Sequence, residues 1–178
     1  MQLIGPLMIE HRLIEKMIAL IAAEAERLVG GGSFDPGFAR TAVDFIRTYA
    51  DRTHHGKEED ILFRDLAKKD LTAADKASMD ELIHEHVWAR GRVAKIVEAA
   101  GRAEDGNAQA RAEVAAVMKE LAEFYPQHIR REDKAFFPAA MKYLNLEEQQ
   151  VMLSEEREFD RRMIHDKYRD MVAELEKR

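Results

Sequence analysis

The sequence predicts an all-α protein, organised as an up-down-up-down four-helix bundle with an additional C-terminal helix. Only 9 of the 178 residues are glycine and 4 are proline, whereas good helix formers such as alanine, leucine, glutamate and lysine are abundant. Apolar residues recur at alternating intervals of three and four, which is the spacing of the buried face of a helix in a bundle. No segment has the two-residue alternation that predicts a β-strand.

Four segments rich in turn-forming residues divide the chain into five predicted helices. The loops fall at 29–37, 68–75, 101–107 and 137–149, and Thr72 is the expected N-cap of the third helix. The helices are expected at about 5–29, 37–68, 73–101, 108–143 and 147–177. Residues 1–145 then form the bundle, and residues 146–178 form a C-terminal helix that packs on it through Ile164, Tyr168, Met171 and Leu175.

The apolar seams of the first four helices are interrupted only by histidine and glutamate. The seams run through 11, 14, 18, 21, 25 and 28; through 46, 50, 54, 58 and 61; through 79, 82, 86, 89, 93, 96 and 100; and through 114, 117, 121, 124, 128, 132, 135 and 139. Burying imidazole and carboxylate groups is costly unless each finds a strong partner. The interruptions are His11, His54, Glu58, His86, His128 and Glu132.

Distances along the chain place these six residues at one level of the bundle. His11 and His54 each lie about 18 residues from the first loop, and His54 and His86 each lie about 14 residues from the second, so antiparallel helices bring them together. The third hairpin is less even, with about 15 residues on one side and about 20 on the other, a difference that an uncertain helix end can absorb.

The spacing His-x3-Glu occurs at His54–Glu58 and again at His128–Glu132, and it puts both side chains of a pair on one helix face. Two such pairs suit two metal ions bridged by the glutamates, and histidine nitrogen with carboxylate oxygen favours iron over manganese or zinc. Two octahedral ions offer roughly 12 positions, of which about two stay open after four histidines, two bridging glutamates and an oxo or hydroxo bridge. Open positions indicate chemistry with a small molecule.

Four segments carry a resemblance to a known family: IEHRLIEKM (9–17), HHGKEEDILF (54–63), HEHVWARGRV (84–93) and HIRREDKAFFP (128–138). In this order they resemble the hemerythrin-like, or HHE cation-binding, domain proteins. The resemblance implies a four-helix bundle around a non-haem di-iron centre, with His11, His54, Glu58, His86, His128 and Glu132 as ligands. Oxygen carriers of the family have a further histidine four residues after the third-helix ligand, where this chain has Arg90, so reversible oxygen carriage is not favoured.

Several alternatives stay open at the level of sequence. His55–Glu59 has the same spacing as His54–Glu58, but only the latter places Phe63 five residues after the glutamate, as Phe137 follows Glu132. His55 and Glu59 are then expected just outside the ligand set. His84 points away from the seam that contains His86. Tyr125 and Trp88 are interpreted as packing residues, with Tyr125 also within reach of the site. Ile14, Ile61 and Phe124 are expected to wall the site, and charged runs such as 155–162 to be solvated.

The leading hypothesis is a cytoplasmic protein whose two iron ions bind or reduce dioxygen, peroxide or nitric oxide. The alternative is an iron storage or sensing module without turnover that acts through a partner, and a metal-free interaction protein is a third option. The net charge of −6 argues against a nucleic-acid partner, and no apolar run approaches the length of a membrane span. The chain has no cysteine, which excludes thiolate ligands. A homodimer and a separate redox partner are allowed by the sequence.

Overall fold

The computed structural model describes the backbone of residues 3–175 and the side chains of residues 3–163. Every regular element in this part of the chain is helical, which confirms the predicted all-α class. We number five helices: α1 (Ile4–Val29), α2 (residues 36–66), α3 (Ala73–Glu104), α4 (residues 108–143) and α5 (Leu146–Leu175). The predicted helix ends that fall within the described residues agree with these bounds to within about three residues, and the predicted end at 177 lies outside them.

Side-chain caps fix where three of the helices begin. The Asp35 carboxylate accepts a hydrogen bond from the backbone of Phe38 ahead of α2. Thr72 accepts one from Asp75 ahead of α3, which confirms the predicted N-cap. Asn107 does the same for α4. Each cap satisfies an N–H group that the first turn of a helix leaves without a partner.

Helices α2 and α4 widen to π-helical turns where they carry the His-x3-Glu pairs. In α2 the π-helical segments are Ile46–His55 and Glu58–Phe63, and in α4 the segment is Glu132–Phe136. Such turns are rare in α-helices and often lie at functional sites. In α2 the seam residues 46, 50, 54 and 58 are all buried, although steps of four would drift by about 40° each around a regular α-helix.

The π turn in α4 makes one sequence prediction wrong. The seam was expected to continue from Glu132 to Ala135 and Ala139, but Ala135 is exposed and Ala139 is only half-buried. Phe136 and Phe137 are buried instead. The extra residue of a π turn shifts all later side chains around the helix, so the seam moves on by one position. The seam of α1 is buried throughout, as predicted.

The core consists of two apolar clusters with the layer of predicted ligands between them. One cluster contains Ile14, Ile46, Val93 and Leu121, and the other contains Leu7, Ile61, Leu82 and Phe136 among its members. Helix α1 packs on α4, α4 packs on α3, and α5 packs on the π-helical part of α2. Met152 and Leu153 of α5 are buried in the second cluster. The predicted packing stripe from Ile164 to Leu175, like His165, lies outside the described side chains.

Candidate metal centre

The six side chains singled out by the seams come together in the middle of the bundle, each 0–1% exposed. Their inward-facing atoms lie close to one another. Glu132 is the most central, with Oε2 3.2 Å from His11 Nε2, and with Oε1 3.2 Å from His128 Nε2 and 3.7 Å from His86 Nε2. Glu58 Oε1 lies 3.4 Å from His54 Nε2, and Glu58 Oε2 lies 3.5 Å from His86 Nε2. The predicted meeting of four helices at one level is therefore observed.

The atoms that face inward have no hydrogen-bond partner among the described residues. They are the Nε2 atoms of His11, His54, His86 and His128 and both carboxylate oxygens of Glu58 and Glu132. Buried polar atoms almost always have a partner, so a cluster of unpartnered donors and acceptors needs an explanation. Neighbouring ligands of an octahedral ion bound at about 2.1 Å lie about 3 Å apart. The observed separations fit atoms that surround metal ions.

The imidazole rings are oriented in two pairs. The rings of His11 and His54 have centroids 4.5 Å apart and planes at 63°, and those of His86 and His128 have centroids 5.0 Å apart and planes at 76°. The lone pair of an imidazole nitrogen lies in the ring plane. Steeply crossed rings can therefore direct two lone pairs at one point, so each pair could hold one ion.

Each of the four histidines contacts a carboxylate on its outer side through Nδ1. The distances are 2.8 Å for His11–Asp133, 2.9 Å for His54–Glu10, 2.7 Å for His86–Glu59 and 2.7 Å for His128–Glu85. An ionised carboxylate can only accept, so Nδ1 carries a hydrogen, and in a neutral ring the Nε2 lone pair is left to face inward. A carboxylate behind the imidazole is the usual arrangement of a histidine that binds a metal. We call these four residues the outer carboxylates: Glu10, Glu59, Glu85 and Asp133.

Every outer carboxylate is in turn bound by a cation. Arg12 binds Asp133, Arg131 binds Glu85, Lys57 binds Glu10, and Arg90 Nη2 lies 2.8 Å from Glu59 Oε1. The three arginines are 39–52% exposed, but the Lys57 side chain is 0% exposed. Lys57 also lies 2.9 Å from a second carboxylate, that of Asp160 in α5. Helix α5 thus contacts the surroundings of His54.

The sequence model of the hemerythrin HHE cation binding domain family matches residues 3–140. The chain belongs to this family. The matched residues include all six side chains of the centre and the four outer carboxylates, and they end before α5 begins. The family therefore accounts for the cation-binding bundle, and α5 adds contacts that lie beyond the matched region. No curated protein and no solved structure matches the chain.

In the hemerythrin-type centre of this chain the two glutamates differ in charge before any metal binds. Burial and the nearby Glu132 charge raise the pKa of Glu58 well above its ordinary value. Burial acts in the same direction on Glu132, but His128, His11 and His86 outweigh it and hold the pKa of Glu132 well below its ordinary value. A metal ion that took Glu58 as a ligand would therefore compete with a proton for it, because a carboxylate ligand has to be ionised.

The histidines differ in the same way. Burial lowers the pKa of His11, but the hydrogen bond to Asp133 and the nearby Glu132 carboxylate outweigh it and raise that pKa to about 10. For His54 burial prevails over the hydrogen bond to Glu10 and lowers the pKa to about 4. Without metal, the positive charge of this pair is therefore held on His11. A cation that binds here replaces that proton as the counter-charge of Glu132.

His55 is as buried as the six predicted residues, at 1% exposed. One of its ring nitrogens lies within 4.8 Å of ligand atoms of His86 and His128, and a second group of this kind contains His11, His54, Glu58 and Glu132. Its ring, however, stacks on that of His86, with centroids 3.8 Å apart and planes at 8°. Glu59, its neighbour in the alternative pairing, contacts His86 from outside as an outer carboxylate. His84 is exposed, in agreement with its predicted orientation.

The buried carboxyl group of Glu156 was missed because it lies in a charged run that was interpreted as solvated. Glu156 is 2% exposed and both of its carboxylate oxygens lack a partner among the described residues, so the prediction of a solvated face for 155–162 is wrong there. Burial, only partly offset by Lys57, raises the pKa of Glu156 to about 8. Of the predicted wall residues, Ile14 and Ile61 lie in the two apolar clusters on either side of the centre, and the Phe124 ring stacks on that of His128 with centroids 5.2 Å apart.

Proposed function

We propose that the bundle holds two iron ions, one between His11 and His54 and one between His86 and His128. Glu58 and Glu132 bridge them. The observation that carries this proposal is the set of eight buried, inward-facing atoms without hydrogen-bond partners, which belong to these six residues. Four borderline nitrogen donors and four hard oxygen donors suit iron better than a soft metal.

The same proposal assigns a function: the centre binds or reduces a small oxidant such as dioxygen, peroxide or nitric oxide. Iron in such a site supplies one-electron redox chemistry and coordination positions that a small ligand can occupy. The outer carboxylates hold the Nδ1 hydrogens and make each imidazole a more basic ligand. Apolar clusters on both sides of the layer limit the access of bulk water.

The proposal also includes the finer architecture. The order in which each helix passes the two apolar clusters reverses from one helix to the next along α1, α2, α3 and α4, which supports an up-down-up-down bundle in residues 1–145. Residues 146–178 are proposed to form a separate helix packed on that bundle. No helix of the described chain is both long and apolar enough to cross a lipid bilayer. A cytoplasmic location, a homodimer and a redox partner stay predictions from the sequence.

Metal analysis joined to an optical spectrum of the purified, iron-loaded protein tests the proposal. We expect about two irons per chain and a charge-transfer band when the protein is oxidised. The variant His86→Ala should lose both. His84→Ala is the matched control, because His84 lies two residues away on the exposed side of α3 and should keep the iron content and the spectrum of the wild-type protein.

Iron content that survives His86→Ala and Glu132→Ala would place the site elsewhere. Binding of zinc or manganese in preference to iron, measured by competition during reconstitution, would contradict the assignment of the metal. Circular dichroism of each variant distinguishes a lost site from a lost fold.

The alternative function, metal sensing or storage without turnover, is favoured by one observation. Lys57, which binds the carboxylate behind His54, is also bound by Asp160 of α5, outside the matched family region. A change at the centre could reach a partner through this contact. Peroxide consumption by the iron-loaded protein separates the two functions, since a rate no faster than that of the same amount of free iron supports sensing or storage.

A further inference from the structure

A cavity of about 180 Å³ lies beside His86, between α2, α3 and α4. Its polar lining consists of Arg47, Asp51, His55, His86, Arg90 and Tyr125, and its remaining wall is apolar. A water molecule occupies about 30 Å³ in the liquid, and drug-sized ligands need roughly 300 Å³ or more. The cavity is therefore too small for a drug-sized ligand and has room for a diatomic or triatomic molecule.

The orientation of the His55 ring shows whether this side chain, which lines the cavity, can bind the same metal ion as His86. Its ring is nearly parallel to that of His86, with centroids 3.8 Å apart. Two parallel rings this close must be stacked, because coplanar rings at the same distance would overlap. Nitrogen binds a metal ion in the ring plane at about 2.0–2.1 Å. An ion in the plane of His86 is then too far out of the plane of His55 for a bond, so His55 does not share the ion with His86.

Tyr125 adds an unsatisfied donor to the same cavity. The residue is 1% exposed, and its hydroxyl group has no hydrogen-bond partner among the described residues. A buried tyrosine hydroxyl nearly always has a partner. Its ring is parallel to that of His55, with centroids 6.5 Å apart, so the two side chains line the cavity together.

Arg90 also lines this cavity. Its guanidinium group binds Asp51 at 2.7 Å and Glu59 at 2.8 Å, and the side chain is 39% exposed. Asp51 also lies 3.4 Å from His55 Nδ1. These contacts hold α2 and α3 together at the cavity and fix the position of the His55 ring without a metal.

We propose that His55 and Tyr125 are ligand-binding residues and not metal ligands: they form the pocket in which a small hydrogen-bond acceptor binds the ion held by His86 and His128. The inference rests on the proposed two-iron centre and names the side from which its ligand enters. Tyr125 donates a hydrogen bond to the bound molecule, and His55 forms the facing wall. The ligand class is a diatomic or triatomic molecule or anion.

Titration of the oxidised, iron-loaded protein with azide tests this assignment, with metal analysis before azide is added. Tyr125→Phe should keep the iron content and the azide-free spectrum but bind azide about tenfold more weakly, because one hydrogen bond to the ligand is lost. His55→Leu should also keep both irons, with azide binding weakened about threefold or more. Tyr49→Phe is the matched control, since Tyr49 lines a different cavity, and should leave azide affinity unchanged.

The outcomes separate the inference from the function on which it rests. Loss of iron in His55→Leu, with a changed azide-free spectrum, would make His55 a ligand and overturn the inference while the two-iron centre stands. Unchanged azide affinity in Tyr125→Phe would overturn it as well. A wild-type protein that retains no iron refutes the proposed centre and the inference together. If His55→Leu does not fold, His55→Gln is measured in its place, with the same expected iron content.

Discussion

The pattern His-x3-Glu-x4-Phe occurs once in α2 and once in α4, and the two copies place the same donors in different surroundings. Both copies carry π-helical turns, and both direct a histidine and a glutamate to the centre. Behind His128 the outer cation is Arg131, which is 43% exposed. Behind His54 it is the fully buried Lys57, which α5 covers. The spacing within a copy determines where the donors point, whereas the surroundings determine their charge.

The glutamates show this difference most clearly. Three nearby imidazoles outweigh burial and hold the pKa of Glu132 well below its ordinary value, while burial and the Glu132 charge hold the pKa of Glu58 well above its ordinary value. Two like charges this close cannot both be stable in a buried site, so one carboxyl group stays neutral. Sequence spacing alone assigns the two residues the same role, whereas their surroundings in the metal-free chain shift their pKa values in opposite directions.

Replacing each glutamate by glutamine gives the largest expected effect. It tests whether the two copies of the pattern contribute equally to iron binding. Glu58→Gln and Glu132→Gln should both abolish two-iron binding, because an amide is a poor bridge. In the metal-free protein they should differ: Glu132→Gln costs about 3 kcal/mol since buried imidazolium groups lose their partner, whereas Glu58→Gln stays within about 1 kcal/mol. Iron analysis and urea unfolding measure the two effects.

The exposed residue Asp60 provides the control for these variants, since Asp60→Asn should change neither iron content nor stability. Equal destabilisation of the metal-free protein by both glutamine variants would show that the charge difference between the copies is absent.

The outer cations give the next largest effect. Lys57→Met leaves Glu10 and Asp160 without their cation in a buried contact, so we expect the metal-free protein to lose about 3 kcal/mol. Arg131→Met removes a cation from a half-exposed contact and should cost about 1 kcal/mol or less. Urea unfolding of both variants measures the difference. Similar losses would mean that α5 does not isolate Lys57 from solvent, which would remove the distinction between the copies.

The pH dependence of stability is expected to show the smallest of these effects. It concerns only the α2 copy of the pattern, on which α5 packs. The pKa of Glu156 is raised to about 8 in the folded chain from 4.5. Between these values the folded chain keeps a proton that the unfolded chain has released, so stability falls as pH rises. Glu156→Gln should remove a fall on the order of 2 kcal/mol between about pH 6 and about pH 8.

The measurement for this prediction is urea unfolding of the metal-free protein across that pH range, compared between wild type and variant. Glu155→Gln is the control, because Glu155 is 38% exposed and pairs with Arg64. If Glu156→Gln has the same pH profile as the wild type, the buried carboxyl group does not titrate as described.

Much of the fold and the position of the centre follow from sequence, since apolar periodicity gives the rotation of each side chain around its helix. Residues that break a seam, such as His11 and His86, must then point inward, and both are fully buried. The outer carboxylates were harder to predict because they lie one residue from a ligand, at the boundary between buried and exposed faces. Glu10 and Glu85 each precede a histidine, and this repeated pair is the signal that could have found them.

Other features depend on contacts between helices, which the apolar periodicity of a single helix does not predict. The buried state of Lys57 and Glu156 results from the way α5 packs on α2, which no local pattern in a charged run indicates. The π turn after Glu132 moves the α4 seam from Ala135 to Phe136. A regular helix was assumed there, although the five-residue step from Glu132 to Phe137 fits a wider turn.

The outer carboxylates have a consequence for how the centre assembles. Glu10 of α1 reaches His54 of α2, Glu59 of α2 reaches His86 of α3, Glu85 of α3 reaches His128 of α4, and Asp133 of α4 returns to His11 of α1. These four contacts form a closed ring around the bundle. If one helix shifted by one turn, the centre would lose the histidine on that helix and also the outer carboxylate that orients the histidine of the next helix. We therefore expect partly assembled cation sites to be unstable, so that metal binding requires all four helices to be in place.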